Sequence, residues 1–399
     1  MTGDRPASAT SADHRGRFCV DDVIPRIGVT RIADQTNLDV VGVPVVSAIR
    51  PLSRNLSVHQ GKGETQERAR ISAVMEALEF FAAERDLKPA LRATRADAGR
   101  TAPIVARGLP LRTGRLPDRK TVIPWMMGRD LRSARRVLVP QEAVSLDSRQ
   151  RRRSGFGYFL STSTGLAAHP DPHEAELHAI CEVIERDAFA LWSLRPPAVQ
   201  ARSRRDLSDE LAGMSGIPIR LAKSRIVPAL FEITSDIHVP AFVCYLDDRR
   251  CPEHHRVGWI YGLGCHPDRA IAAKQAVLEA LQSRVTMIAG AREDIEPWAH
   301  AMLEIAAMMP LDPTPRRVDR PPDRKRASSA RRKRMPSPEA ARNRVLDELA
   351  RTGHRRIVTV DLSLPDLPIW IVKILIPGLE GPHHRIDHAF GARARRMGA

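Results

Sequence analysis

The stretch that decides the fold runs from Gly61 to Glu84 and reads GKGETQERARISAVMEALEFFAAE. It predicts a glycine-flanked turn, Gly61-Lys62-Gly63, that opens into a helix over Thr65 to Glu84. The apolar stripe expected for this helix consists of Ile71, Val74, Met75, Leu78 and Ala82. One flank of the stripe carries Ser72, Glu76 and Glu79. Carboxylates one turn apart repel each other, so the pattern predicts that a positive partner completes it.

Two further helices are predicted to follow glycine-containing turns at Ser163–Ala167 and Gly262–Asp268. The second helix, from about Pro172 to Leu194, carries on the equivalent flank Glu174, His178, Glu182 and Glu185, with Arg186 just beyond. The third, from about Ala270 to Ala289, aligns Gln275, Glu279 and Gln282. Helix N-termini favour anions and clustered carboxylates favour Mg²⁺. Together they predict a magnesium and nucleotide-phosphate site, although the GKG turn lacks the spacing of a Walker A loop.

Length and composition allow one large or two medium domains, since the chain has 399 residues and 43% hydrophobic residues. No apolar run reaches the length of a membrane span, and Met1 to His14 contains no apolar core of the signal-peptide kind. We expect residues 1–24 to form a polar, disordered leader. We therefore expect no membrane contact and place the protein in the cytoplasm. The five cysteines show no CxxC spacing, which argues against a disulfide framework and a zinc site.

The formal net charge of +16 raises the question of nucleic-acid binding. Half of the excess lies between Pro315 and Arg334, where ten Lys and Arg residues face only Asp319 and Asp323. This segment is rich in proline and has no aromatic residue on which a base could stack. Nucleic-acid binding is therefore the minority interpretation, and a solvated basic insertion is preferred.

The remaining chain predicts alternating strands and helices. Strands are expected at Ile27–Ile49, Gly155–Ser163, Val239–Leu246, Ile357–Asp361 and Ile369–Leu379, and a helix at Ser337–Arg351. The domain organisation expected is a leader (1–24), a main catalytic part (25–310), a basic Pro/Arg-rich insertion (311–340) and a C-terminal part of the same domain (341–399).

Four blocks in order resemble the YcaO family of ATP-dependent enzymes that modify peptide backbones. They are SVHQGKGETQERARISAVMEALE, STGLAAHPDPHEAELHAICEVIERDAFALW, GLGCHPDRAIAAKQAVLEALQSR and IPGLEG. The Glu185-Arg186-Asp187 block and the block from Glu279 to Arg284 are specific, and the resemblance spans roughly Ile27 to Gly391. It implies a multi-lobed α/β (mixed α+β) fold with helices and mixed sheets around a buried ATP site.

The same resemblance implies ATP and Mg²⁺ as cofactors and phosphorylation of a peptide amide oxygen as the reaction. Glu76, Glu79, Glu182 and Glu185 would hold Mg²⁺, with Glu182, Glu185 and Arg186 as catalytic residues. The residues that would bind the nucleotide are Lys62, Ser72, Glu174, Arg186, Glu279, Gln282 and Arg284, the last of them on a phosphate or in packing.

Three functions stay open. Thioamide formation with a TfuA-like partner protein leads, because the opening RIADQTNLDVVGVPVVSAIRP resembles that branch and a proline-rich ending is not seen. Azoline-forming cyclodehydration is the second. A catalytically silent adaptor is the third, because Thr164-Gly165 and His169-Pro170 stand where the family often has Asn-Gly and Gly-Asn. The substrate is expected to be a peptide or protein, and a homodimer is compatible with the sequence.

Some single residues keep simpler interpretations. Lys62 is also compatible with an exposed turn, and His178 with a partner for a carboxylate. His59 and His266 are expected to be structural. A surface loop is the preferred interpretation of His383, His384 and His388.

Overall fold

The computed structural model describes residues 19–152, 154–210, 216–248, 260–292, 337–381 and 389–397. The basic run 315–334, Cys251 and the histidines at 383, 384 and 388 lie outside these ranges. The expectation of disorder up to residue 24 is wrong from Val20 onward, because a helix begins there. Its Val23 is fully buried in the core, which explains why this part of the leader is ordered.

Ten helices are found within the described residues, and we number them in chain order. They are α1 (Val20–Arg26), α2 (Gln66–Glu84), α3 (Arg95–Thr101), α4 (Pro172–Ser193), α5 (Pro197–Arg202), α6 (Leu207–Glu210), α7 (Ile217–Ser224), α8 (Arg269–Ala289), α9 (Pro338–Arg351) and α10 (Ala392–Arg396). Short 3₁₀ turns cover Thr36–Leu38, Gln141–Ala143 and Ser148–Arg152.

Thirteen strands in the same ranges form three sheets. They are β1 (Arg31–Asp34), β2 (Val45–Ile49), β3 (Val58–Lys62), β4 (Leu91–Ala93), β5 (Ile123–Asp130), β6 (Arg136–Pro140), β7 (Leu166–His169), β8 (Arg204–Arg205), β9 (Ile226–Glu232), β10 (Ala241–Asp248), β11 (Ile260–Cys265), β12 (Val358–Asp361) and β13 (Trp370–Leu375).

All pairings between these strands are antiparallel. The first sheet has the order β1-β2-β3, and the second has the order β11-β10-β9-β8. The third has the order β4-β5-β12-β13-β7, with β6 paired to β5. The expected mixture of helices and sheets is confirmed. Strands from both ends of the chain share the third sheet, so β13 lies beside β7 with Lys373 opposite Leu166.

Three long helices pack on these sheets and bring their strands together. Helix α2 lies on β2 and β3, and α8 lies on β10 and β11. Helix α4 contacts β13, β7 and β11 and is covered on another side by α9. Because α4 contacts strands of two sheets and α2 also reaches β7, the three helices predicted to carry site residues surround one region.

The three predicted turns are in part strands. Gly61 and Lys62 end β3, Leu166 begins β7, and Gly262 lies inside β11. The stripe predicted for α2 is also wrong at Ile71, which is 36% exposed, because Ala69, Ala73 and Ala77 form the fully buried face instead. The strand predicted over Gly155–Ser163 does not form, since Gly155 and Gly157 adopt positive φ values of 88° and 102°.

Within the described residues, no helix has both the length and the apolar character that a membrane crossing requires.

Candidate active site

Glycines bring two strands into contact with helix backbones. A Cβ atom on Gly61 of β3 would lie 2.0 Å from the amide nitrogen of Ala73 in α2. A Cβ on Gly262 of β11 would lie 2.0 Å from the amide nitrogen of Ala280 in α8. Because side chains are excluded there, each strand lies directly on its helix, and polar groups of the helix can reach the strand backbone.

Two carboxylates, one on each of these helices, accept a hydrogen bond from an amide of the strand that precedes the helix. Glu76 of α2 accepts a hydrogen bond of 2.7 Å from the amide of Gln60 in β3. Glu279 of α8 accepts one of 3.3 Å from the amide of Leu263 in β11. The two strand–helix units therefore present equivalent carboxylates.

Two more carboxylates are held by the segment that leads into and through β7. Glu182 of α4 accepts a hydrogen bond of 3.0 Å from the amide of Gly165. Glu79 of α2 accepts one of 2.8 Å from the amide of Ala168. A single segment thus joins carboxylates from two helices, and a backbone amide restrains one oxygen of each.

Two cations lie among these carboxylates. The Lys62 ammonium is 2.9 Å from a carboxylate oxygen of Glu279. The Arg186 guanidinium lies 3.6 Å from Glu182, 3.5 Å from Glu185 and 3.9 Å from Glu279. At these separations Arg186 forms ion pairs but does not hydrogen-bond to the three carboxylates. Its side chain and that of Lys62 are 22% and 24% exposed, so both remain partly accessible to solvent. We call the region bounded by these side chains and the carboxylates the cleft.

Burial and the neighbouring charges shift the pKa values of the carboxyl groups in this cleft. Burial raises the pKa of Glu79 well above its ordinary range, and Glu76 and Glu182 raise it further. Burial also raises the pKa of Glu185 to about 8, against the opposing charge of Arg186. For Glu279 burial acts in the same direction, but Lys62 and Arg186 outweigh it and lower the pKa.

This donor set fits magnesium and a nucleotide. Five carboxyl groups from three helices lie in this region together with Lys62 and Arg186, and a divalent cation would stabilise their charged forms. Among the residues described, no three His, Cys, Asp or Glu side chains are close enough to hold a metal by themselves. Mg²⁺ bound with phosphates needs only one or two carboxylates, because phosphate oxygens and water complete its coordination.

The other predicted site residues differ in their placement. Ser72 is half-buried on α2 beside β3, and Gln282 donates a hydrogen bond of 2.8 Å to the carbonyl of Gln60. Glu174 and His178 lie on the α4 face that carries Glu182. Desolvation lowers the pKa of His178, against the opposing effect of the Glu182 and Glu174 charges.

Arg284 does not belong to the cleft. It is 3% exposed, and its guanidinium lies 3.0 Å from Asp39 and 2.8 Å from Asp248. Both carboxylates are buried, so the charge of Arg284 is used in packing and is not available to a phosphate. The prediction that Arg284 binds the cofactor is wrong, and packing is its role.

The helix N-termini are not anion sites either. The first amides of α4 are capped by the Asp171 carboxylate, and those of α8 by Asp268. Thr65 caps α2. A carboxylate cap would repel a phosphate at α4 and α8, so the predicted phosphate sites there are wrong. The charged groups in the middle of the helices form the cleft instead.

One residue of the cleft region was not predicted as functional. Lys373 of β13 is 1% exposed and donates hydrogen bonds to the carbonyls of Thr162 and Thr164. Its signal in the sequence is a single lysine within the apolar run Ile369–Ile376.

The two histidines expected to be structural are held by their surroundings. His59 is buried, and His266 accepts a hydrogen bond from the amide of Asp268.

Comparisons with known proteins agree with this geometry. Residues 60–380 match a family model described as YcaO cyclodehydratase, ATP- and Mg²⁺-binding. An uncharacterized protein in the tfuA 3' region of Rhizobium leguminosarum bv. trifolii is 37% identical over 363 residues, which cover 88% of this chain and 84% of that protein. An uncharacterized protein of Methanothermobacter thermautotrophicus is 35% identical over 280 residues, covering 68% and 70% of the two chains.

Solved structures show the same fold. YcaO from Methanopyrus kandleri, bound with AMPPCP and Mg²⁺, superimposes with a TM-score of 0.66 at 20% identity and covers 90% of this chain and 88% of its own. A chain of the E. coli microcin synthetase McbBCD complex with pro-MccB17 bound gives a TM-score of 0.62 at 15% identity, covering 92% and 95%. The chain belongs to the YcaO family of ATP- and Mg²⁺-binding enzymes.

Proposed function

We propose that this chain activates a peptide backbone amide by ATP-dependent phosphorylation of its oxygen, and that the product is a thioamide. The observation that carries the proposal is the cleft in which five carboxyl groups from three helices outnumber Lys62 and Arg186, and four of the five are each restrained by a backbone amide. Family membership supports the ATP-dependent chemistry. The name of the Rhizobium relative, which places it beside tfuA, supports the thioamide branch and a TfuA-like partner.

An amide oxygen leaves only after it has been activated. ATP would supply the phosphoryl group that converts it into a leaving group, and Mg²⁺ would neutralise the phosphates. Glu76, Glu79, Glu182 and Glu185 are the residues that would hold Mg²⁺. Arg186 and Lys62 would bind anionic oxygens and orient them, because both are cationic and partly exposed.

The other side chains would have supporting roles in this proposal. Glu279 holds Lys62 in place through the 2.9 Å ion pair and would set its direction in the cleft. Ser72, Glu174 and Gln282 would line the nucleotide. The TfuA-like partner would bring the sulfur donor or the peptide, which would be a ribosomally made peptide or protein.

Binding of a non-hydrolysable ATP analogue, measured by calorimetry with Mg²⁺ and with EDTA, tests the site. We expect Mg²⁺-dependent binding, and we expect Glu182→Gln and Arg186→Ala to weaken it at least about tenfold while the melting temperature is retained. Glu67→Gln serves as control, because it removes a carboxylate at an exposed position of α2, and it should bind the analogue like the wild type. Unchanged affinity in the Glu182 and Arg186 variants would refute the site, and no Mg²⁺-dependent binding would favour the silent adaptor.

Azoline formation is the second candidate, favoured by the description of the family model as a cyclodehydratase. Mass spectrometry of a neighbouring-gene peptide, co-expressed with this chain and its TfuA-like neighbour, separates the two. Exchange of oxygen for sulfur raises the peptide mass, whereas cyclodehydration lowers it by one water. A loss of water that does not need the TfuA-like protein would replace the thioamide proposal with the azoline one.

A further inference from the structure

Lys373 is a fully buried lysine in the middle of an apolar strand. It lies in β13 between Val372 and Ile374, and it is 1% exposed. Burial of an ammonium is unfavourable unless it is hydrogen-bonded and compensated by charge. The groups that surround Lys373 should therefore account for the burial of its ammonium.

Its hydrogen bonds hold one turn. The ammonium donates to the carbonyl of Thr162 and, at 2.8 Å, to that of Thr164. The next residue of β13, Ile374, donates its amide to the carbonyl of Gly165 at 2.7 Å. Strand β13 thus binds three carbonyls of the segment 162–165.

The amides of the same segment hold the two carboxylates described above. Gly165 donates to Glu182 of α4, and Ala168, three residues later in β7, donates to Glu79 of α2. Gly165 has φ +79°, and a Cβ there would lie 2.5 Å from the carbonyl oxygen of Ile374. The turn has no room to shift toward β13 and relies on the bonds of β13 to keep its amides in place.

Charge connects Lys373 to the site as well. Burial lowers the pKa of Lys373 to about 8, and Glu182 acts in the opposite direction. Glu182 itself belongs to the cleft with Glu185, Glu279 and Arg186. Lys373 is therefore a buried positive charge whose field reaches Glu182, and its ammonium is bonded to carbonyls.

We propose that Lys373 is a positioning residue of the nucleotide site, which clamps the turn 162–165 so that Glu182 and Glu79 face Mg²⁺ at a fixed separation. This inference rests on the proposed function of the cleft. Lys373 does not contact the ligand. It acts through two backbone amides on two carboxylates of different helices, so it should affect binding of magnesium-bound nucleotide far more than binding of nucleotide alone.

The test measures affinity for a non-hydrolysable ATP analogue, and its dependence on Mg²⁺ concentration, in Lys373→Met and Lys373→Arg. In Lys373→Met we expect affinity in Mg²⁺ to fall by about tenfold or more, as for other groups that orient metal ligands, with a higher Mg²⁺ requirement. Affinity in EDTA should change little. Lys373→Arg retains the charge and the donors and should recover most of the loss.

A control separates positioning from general destabilisation. Arg342 donates at 2.5 Å to Glu176, which lies on the α4 face opposite the one that carries Glu174 and Glu182. Arg342→Met also removes a cation paired with α4, so it should lower the melting temperature and leave the affinity unchanged. If Lys373→Met, measured well below its melting temperature, binds the magnesium-bound analogue like the wild type, the inference is wrong.

Gly165→Ala tests the same turn without removing Lys373. Its Cβ would displace the Gly165 amide, so it should give the same Mg²⁺-specific loss, and it decides the question if Lys373→Met does not fold. Normal affinity in Gly165→Ala would then overturn the inference. A wild-type protein without Mg²⁺-dependent binding would refute the function proposed for the cleft, whereas intact wild-type binding with unaffected variants refutes only the role of Lys373.

Discussion

At the scale of the residue, identical side chains have opposite roles because their surroundings differ. Arg186 and Arg284 both belong to specific blocks of the family resemblance. Arg186 is partly exposed and ion-paired at 3.5–3.9 Å, so it can turn toward a ligand. Arg284 is enclosed by Asp39 and Asp248 and holds two distant parts of the chain together. Only the partners of each guanidinium distinguish them.

His59 shows a residue-scale effect on pH stability. It is fully buried in β3 against Phe80, with Arg50 at 3.4 Å from its ring. Burial and the charge of Arg50 lower its pKa from 6.5 to about 3. The unfolded chain therefore binds a proton between these pH values that the folded protein does not bind, and stability falls as pH decreases below 6.5.

We predict that His59→Gln removes part of this acid sensitivity. Between pH 7 and pH 5 the wild type should lose about 2 kcal/mol of unfolding free energy through His59, and the variant should lose correspondingly less. Urea denaturation at both pH values measures the difference. The exposed His238, replaced by Asn, serves as control and should keep the wild-type dependence. An equal pH dependence in His59→Gln and the wild type would contradict the prediction.

At the scale of the element, glycines and alanines determine how the strands meet their helices. Gly61 lies against Ala69 and Ala73, and Gly262 and Gly264 lie against Ala272, Ala276 and Ala280. The contact is backbone to backbone, and it places Glu76 and Glu279 within reach of strand amides. The Gly-x-Gly spacing is visible in the sequence. From the sequence alone, this spacing predicts a turn. In the structure, it marks a close approach of strand and helix backbones.

We predict that Gly61→Ala destabilises the protein by about 1–3 kcal/mol, because the new Cβ would overlap the backbone of α2 and force strand and helix apart. Gly99→Ala is the matched control: a Cβ there meets no atom within 4 Å, and Gly99 lies inside α3. It should stabilise by up to about 1 kcal/mol through helix propensity. Equilibrium unfolding of the two variants measures both effects, and similar changes in both would argue against the close approach.

At the scale of the whole molecule, the C-terminal segment is fastened to the helix that carries the site. Arg393 of α10 donates at 3.1 Å to Asp187, which is fully buried and follows Arg186. It also pairs with Asp236. Glu380 accepts the amides of Gly391 and Ala394 at 2.7 and 2.9 Å. These contacts fasten α10 to the C-terminal half of α4 and to Glu380.

We predict that Arg393→Ala lowers the unfolding free energy by about 3 kcal/mol, because it leaves the Asp187 carboxylate buried without its cation. Arg395→Ala, on the exposed side of the same helix, should change stability by less than about 0.5 kcal/mol. Chemical denaturation of the two variants at pH 7 compares them. Equal stability of the two variants would show that α10 does not support α4.

The sequence by itself determined the features that depend on neighbours along the chain. The limits of α2, α4 and α8 follow from caps and helical periodicity and were predicted within a residue or two. The four ordered blocks were sufficient for the family and its cofactors. The acidic flanks of the helices were also visible, because residues three and four apart share a helix face.

Only the tertiary structure decided which charges meet. Lys62 pairs with Glu279, which lies 217 residues away along the chain. Lys373 donates a hydrogen bond to the carbonyl of Thr162, which lies 211 residues away. Arg284 meets Asp39 and Asp248 and leaves the site, whereas Arg186 remains in it. Local periodicity determines the face of a helix on which a charge lies. The partner of that charge depends on which distant strand packs against that face, and no spacing along the chain encodes this packing.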